Sequence, residues 1–449
     1  MPEMMDTIDP AIMKKVAFRL LPMLMILYFL SYVDRVNVGF AALTMNVDLG
    51  LSATAYGLGA GVFFIGYFLF EVPSQFMLDR FGARIWITRI VVTWGAIAAA
   101  MAFVQGPTSF YILRFLLGVA EAGFFPGIIY FLGMWFPRGQ RARIVAFVYI
   151  AAPVSFLLGS PISTMMMEHG DGLLGLVGWR FMFLIEGLVT VLAGIIGFFV
   201  LVDRPTKATW LPRDEAEKLE AVIAAEDASV NATHDGHSIR AAFKPRVFVL
   251  GFIYFGIAYG VYAVGFFLPQ IVSSFQATYG MSFSLTQIGL ITAIPYAVAT
   301  AVMLPWSRHS DKTQSRFVHV AITCFIGGLS LAVSLILGSP VLSMIGICIT
   351  AVGVFCSIPV FWQIPPTFLT GTAAAAGIGV INSIGNLAGF FAPYISGYFK
   401  DATGSLQPGM LVASAFTLLS GVLVLVVRAR IKQTAKSQPV TTAGTVAFH

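Results

Sequence analysis

Charge is what this sequence lacks. Only 11% of its 449 residues are Asp, Glu, Lys or Arg, where a soluble domain carries about 25%, and between Val247 and Ser307 there is not one. With 58% hydrophobic residues and a mean hydropathy of +0.85, the chain reads as an integral membrane protein. Cysteine is nearly absent too. Cys324, Cys348 and Cys356 all lie in apolar runs without metal-ligand spacing, so neither a disulfide framework nor a metal centre is expected and packed thiols are. No phosphate-binding loop, nucleophile elbow or metal-ligand cluster occurs. An enzyme and a self-contained ATP-driven pump are thereby excluded, and no cofactor is expected.

What is present is a series of apolar runs. Stretches of the ~20 residues needed to cross a bilayer fall at about residues 20–42, 57–78, 85–104, 109–132, 144–166, 180–202, 247–272, 287–306, 317–338, 341–364, 373–396 and 409–428. The net charge of +6 could suggest a nucleic-acid partner, but the placement of the basic residues accounts for it. With both termini cytoplasmic, only Arg180 and Lys400 fall outside and only Arg35 and Arg114 lie within spans; 27 Lys and Arg less these four leaves 23 on the cytoplasmic side. That bias sets the orientation and supports the span count. No cleavable signal is expected, because Glu3, Asp6 and Asp9 precede a first apolar run that is too long for one.

The chain divides near its middle. Residues 203–246 are the long polar stretch between apolar runs, and "PRDEAEKLEAVIAAE" has the i,i+4 charge pairs of a surface helix. The expected organisation is a six-helix half over 1–202, a cytoplasmic linker over 203–246, a second half over 247–430 and a cytoplasmic tail over 431–449. The halves repeat one another: Asp79 and Asp311, Arg84 and Arg316, and Pro161 and Pro393 recur at one offset, 232 positions. A parallel internal repeat is what transporters built around a midplane site display.

"LDRFGAR", with Asp79, Arg80, Gly82 and Arg84, resembles the cytoplasmic loop motif of the major facilitator superfamily, with Gln75 where that motif usually begins with glycine. "SDKTQSR", with Asp311, Lys312 and Arg316, is its counterpart in the second half. "DRVNVGFA" from Asp34, "RFLLGVAEAGFFPG" at 114–127 and "GWRFMFLIEG" at 178–187 are similar to the superfamily's anion:cation symporters, above all to bacterial tartrate-type transporters. The resemblance implies an all-α membrane protein of twelve transmembrane helices in two six-helix halves, both termini cytoplasmic, in a bacterial inner membrane. It also implies that Glu121 takes part in proton coupling, with Arg114 as a nearby charge that helps switch it.

Physical chemistry singles out the same residues without that resemblance. A charge near mid-bilayer costs at least ~2.5 kcal/mol, so it faces the protein interior or a water-filled cavity. Six are present: Asp34, Arg35, Glu71, Arg114, Glu121 and Glu186. Arg35 cannot shed its charge and can grip a carboxylate with two parallel hydrogen bonds, which makes it a substrate-anion candidate; a permanent ion pair is the alternative. Asp34, rotated about 100° from Arg35 around the helix, can relieve its burial by taking a proton, or can serve as an interhelical hydrogen-bond acceptor. Arg114 and Glu121, seven residues apart, share a face two turns apart. Glu71, near the basic loop, and Glu186, near Arg180, read as structural or gating partners.

The second half offers neutral groups, Tyr259, Tyr262, Gln270, Trp362, Gln363, Asn382 and Asn386, which read hydroxyls or a ring without fixing charge. Tyr32 and Tyr67 are placed to close the site. The expectation is a monomeric secondary transporter that takes up a small organic carboxylate with protons by alternating access: a tartrate-like hydroxy acid, a sugar acid or an aromatic carboxylate. Asp34 and Glu121 would carry protons, and Arg35 the carboxylate. A proton-antiport exporter and a non-transport membrane sensor are the alternatives; "GSPISTMM" at 159–166 lacks the flanking glycines of exporters.

Overall fold

The computed structural model describes residues 8–233, 244–367 and 371–437. Among them are twelve helical spans long and apolar enough to cross a membrane. The first half comprises α1 (Pro10–Asp48), α2 (Ala53–Phe81), α3 (Ala83–Ala100), α4 (Pro107–Glu121) continued by α5 (Phe124–Trp135), α6 (Arg138–Tyr149) continued by α7 (Ala151–His169), and α8 (Gly178–Val200). After the connector helix α9 (Arg213–Thr233) come α10 (Pro245–Tyr279), α11 (Leu285–Thr313), α12 (Arg316–Ser334), α13 (Pro340–Phe361), α14 (Gly371–Asn386) continued by α15 (Ala388–Thr403), and α16 (Gln407–Ser437). Arg240 of the linker and the tail beyond residue 437 lie outside the described residues.

The last helix runs to Ser437, into the expected tail, and the fifth and eleventh spans are each interrupted once; two further helices depart from the hydropathy reading. The first begins ten residues early, because Asp9 caps it, accepting from the Ala11 amide at 2.8 Å, and Pro10 sits at the first helical position. Lys14, Lys15 and Arg19 lie exposed along that overhang. The fourth span breaks after Glu121. Gly123 takes a left-handed φ of +83°, where a Cβ would collide with Ser74, and Gln75 donates to the Gly123 carbonyl at 3.2 Å. Pro126 then falls in the first turn of α5, where its missing N–H leaves no bond unmade.

Within the first half α3 packs on α8 and α2 on α4, while the halves meet along α2 with α15, α7 with α11 and α1 with α10. The α2/α15 and α7/α11 seams are pseudo-symmetric. A Cβ on Gly57 would lie 2.8 Å from the Pro393 carbonyl carbon, and one on Gly289 would lie 2.8 Å from the Ser160 oxygen. Only glycine permits that approach, as at other membrane helix crossings. At the end opposite the termini, Asp401 accepts from the amides of Ala53 and Thr54 at 2.9 and 2.7 Å. Glu168 accepts from the Thr286 amide at 2.7 Å. Each carboxylate of one half therefore caps the first turn of a helix in the other, and that end of the bundle is fastened shut at two places.

At the termini end, Gly82 turns the chain between α2 and α3 with φ +83°. Asp203, beyond α8, accepts from the Arg84 amide at 2.8 Å, and the Arg84 Nε donates to the Phe198 carbonyl at 2.7 Å. The loop is thus tied to the end of the sixth span. Asp79, Arg80, Asp311 and Lys312 are exposed, and Arg316 reaches the Gln363 carbonyl at 3.4 Å.

Candidate functional site

Asp34 and Arg35, adjacent in sequence, serve two separate networks because α1 turns about 100° between them. Arg35 faces α2 and α4. Its guanidinium is ion-paired with Glu121 and lies over the rings of Tyr32, Phe63 and Tyr67 at 5.0, 5.3 and 5.4 Å, so aromatic faces supply the rest of its solvation. Arg114 lies by the same Phe63 ring, 5.1 Å from its centroid. It is fully buried, and among the described residues it donates to the carbonyls of Gly59 at 3.4 Å and Ala60 at 3.1 Å. The Arg114 Nη1, the Arg35 Nε and the second Glu121 oxygen are buried without a partner. Two buried guanidiniums therefore lie by one phenyl ring, and Glu121 is taken by Arg35, which leaves Arg114 with backbone carbonyls alone among the described residues.

Asp34 faces α3 and α8. One oxygen accepts from the Trp94 indole at 2.9 Å and from the Thr190 hydroxyl at 2.8 Å; the other is buried and unpartnered. One turn along, Glu186 accepts from the Asn37 amide at 2.8 Å and from the Ser163 hydroxyl at 2.7 Å.

Between the halves a cavity with about 30 Å³ of free space is lined by Tyr32, Tyr149, Phe156, Tyr254, Tyr262 and Phe355. That holds a water and is too small for a dicarboxylate. Tyr32 links it to the charge network, since the same ring lies over Arg35. Tyr262 packs edge-on against Phe64 at 4.6 Å, and Trp362 stands behind Tyr254 at 4.8 Å.

The Major Facilitator Superfamily model matches residues 24–393. The chain belongs to the major facilitator superfamily. Within it, the chain is 47% identical over 94% of its length to a protein of Agrobacterium vitis named "Putative tartrate transporter", covering 92% of that protein. It is 39% identical to the quinolone resistance transporter of Acinetobacter baumannii, covering 94% of this chain and 96% of the relative. The xylose transporter XylE from E. coli, in a partially occluded inward open conformation, has the same fold, with a TM-score of 0.69 at 15% identity over 96% of this chain and all of that one. As a member of this superfamily the chain is a multi-pass membrane transporter of small molecules and not an enzyme.

Of the residues singled out in the sequence, the superfamily fold gathers Tyr32, Arg35, Tyr67, Arg114 and Glu121 into one cluster, with Tyr262 at the neighbouring cavity. Others go elsewhere. Gln363 follows the end of α13 and accepts from Arg316 through its carbonyl, outside the Arg35–Arg114 cluster, because α13 stops at Phe361. Asn382 is engaged across the halves by Glu71, at 3.2 Å, so Glu71 is bound to an amide and not to the basic loop as expected. Asn386 ends α14 and is half-buried. Gln270 accepts from Lys400 at 2.9 Å, and Tyr259 is buried with its hydroxyl unpartnered. Arg180 donates to the Ala102 carbonyl at 2.5 Å, leaving Glu186 to Asn37 and Ser163. Phe63, Trp94, Ser163 and Thr190 carry no charge and so escaped a reading that searched for charges. Asn37, three residues after Asp34 in the same motif, was the available signal.

Proposed function

We propose that the protein is a proton-coupled symporter that carries a small organic carboxylate into the cell by alternating access, with both termini cytoplasmic. The observation that supports this most is the imbalance around Phe63: two buried guanidiniums and one carboxylate. A buried guanidinium with no carboxylate in contact calls for an anion, and the forked guanidinium geometry suits a carboxylate. Glu121 holds Arg35 until substrate arrives. When a substrate carboxylate takes the guanidinium, Glu121 loses its counter-charge and accepts a proton, which ties the two cargoes together. Tyr32 and Tyr262, at the cavity wall, read the remainder of the solute. The likeness to the Agrobacterium vitis protein favours hydroxy acids such as tartrate, and sugar acids and aromatic carboxylates share the same anionic head.

Uptake by purified protein in proteoliposomes tests the proposal, with aldarates, sugar acids and aromatic carboxylates each measured with and without an inward proton gradient. Accumulation of one class only under the gradient is the expected result. The likeness to the quinolone resistance transporter supports a second reading, proton-driven export. Accumulation of an amphipathic drug under the opposite gradient, with no response to carboxylates, would select it.

A further inference from the structure

We propose that Asp34 and Glu186 form a single two-carboxylate proton site between α1 and α8, separate from the Arg35–Glu121 pair, and that Glu186 is therefore a working residue of the transport cycle. The geometry is a crossed ladder. Thr190 reaches Asp34, and Asn37 reaches Glu186; the rungs are three residues apart on α1 and four on α8, which sets the two carboxylates about one helical turn, ~5 Å, apart. Asp34 is 2% exposed and Glu186 4%, so water screens neither.

No cation faces them among the described residues. On α1, Arg35 points the other way and is taken by Glu121 of α4, whose carboxylate is a further like charge within electrostatic reach of Asp34. On α3, Arg84, ten residues before Trp94, is tied to the Phe198 carbonyl, and Arg89, five residues before it, lies over Trp86. On α7, Glu168 caps α11 and His169 bonds the Met165 carbonyl at 3.2 Å. On α8 itself, Arg180 is held by Ala102. Two like charges one turn apart in a buried site without a counter-ion cannot both persist, and one carboxyl then keeps a proton. Room for that proton is visible: the second Asp34 oxygen and the Asn37 side-chain oxygen are both buried and unpartnered, and Asn37 is only 1% exposed. Whichever carboxylate remains ionised keeps two donors, Trp94 and Thr190 for Asp34 or Asn37 and Ser163 for Glu186. Because the ladder joins α1 to α8, with α3 and α7 completing its wall, loading or emptying it alters the packing of the helix that carries Arg35. Only this last use, in transport, rests on the symport reading above.

The test is an infrared pH titration of the purified full-length protein, following the carbonyl stretch of protonated carboxyl groups, beside proton-to-substrate stoichiometry in proteoliposomes. The expected result is a titrating band that is lost in Glu186→Gln and in Asp34→Asn, persists in Glu121→Gln and returns in Glu186→Asp, together with a stoichiometry lower by one in the first two variants. A band indifferent to Glu186→Gln would overturn the proposal while leaving symport to stand on wild-type uptake. Should Glu186→Gln fail to fold, Ser163→Ala removes one donor to Glu186 and must move the midpoint of the band; an unmoved midpoint overturns the site. Loss of the band on adding Na+ at constant pH would show a metal-cation site and overturn the proton assignment. If wild-type uptake ignored the gradient while the band behaved as expected, the symport reading would fail and the proton site would remain.

Discussion

In the first half, six charged side chains stand within the spans, and at corresponding places in the second half stand aromatic and aliphatic ones. At the repeat offset, Asp34 and Arg35 correspond to Phe266 and Phe267, both fully buried. Counted from the prolines that open the two helices, Pro107 and Pro340, Arg114 and Glu121 correspond to Ile347 and Val354, which belong to the second half's apolar core. The two halves share six spans each, a repeat and matched carboxylate caps at Glu168 and Asp401, so the shared architecture is built without the interior charges in one of its two copies. What the comparison teaches is that the interior charges are confined to the first half, which agrees with the proposal that they serve transport, and that the second half faces them with a ring-lined wall.

The strongest way to break this comparison is Glu121→Gln. The variant keeps the shape of the neutral acid, yet position 121 no longer offers a protonation difference between inward- and outward-open states through which a gradient can act. Gradient-driven accumulation should fall at least about tenfold, to what the Asp34–Glu186 site alone sustains, while binding and counterflow at uniform pH remain measurable in paired proteoliposome assays. Wild-type accumulation would move the coupling role to Asp34 and its neighbours.

Arg35→Lys comes next. It keeps the charge and loses the fork, and a charge-assisted hydrogen bond of about 1.5–3 kcal/mol corresponds to at least about tenfold weaker substrate binding, read by titration of the purified protein. Affinity within about twofold of wild type would remove Arg35 from the anion site.

A smaller effect is expected on the neutral side. Tyr262→Phe removes one hydroxyl at the cavity wall, and a net hydrogen bond of about 0.5–1.5 kcal/mol should change the relative preference among carboxylates by about two- to tenfold. Proton dependence should be untouched. An abolished pH response with unchanged preference would show that the division of labour between halves is wrong.

The smallest effect sharpens the symmetry itself. Asp401→Asn and Glu168→Gln each weaken one anionic cap on a helix start, worth about 0.3–1 kcal/mol, and the two should act alike. The labelling rate of a cysteine introduced at Ala55, beside the Asp401 cap, should rise about two- to fivefold in either variant, since either release favours opening of the same end. A response to one variant only would mean that the caps are not equivalent.

The sequence by itself determined the number of spans, the repeat and the identity of the interior charges, because backbone groups in lipid must be satisfied within their own helix and a charge in an apolar run is visible wherever it later points. It also held the start of α1, in Asp9 and Pro10, although a search for apolar residues passes over both. Tertiary structure alone decided the partners. Arg35 met Glu121 across 86 positions, Asp34 met Thr190 across 156, Glu186 met Asn37 across 149, and Glu71 met Asn382 across 311. The physical reason is that hydropathy and helix-forming tendency are summed along the chain, whereas the rotation of each helix about its axis is set by packing against helices distant in sequence, and a rotation of about 100° exchanges one residue's neighbours for those of the next.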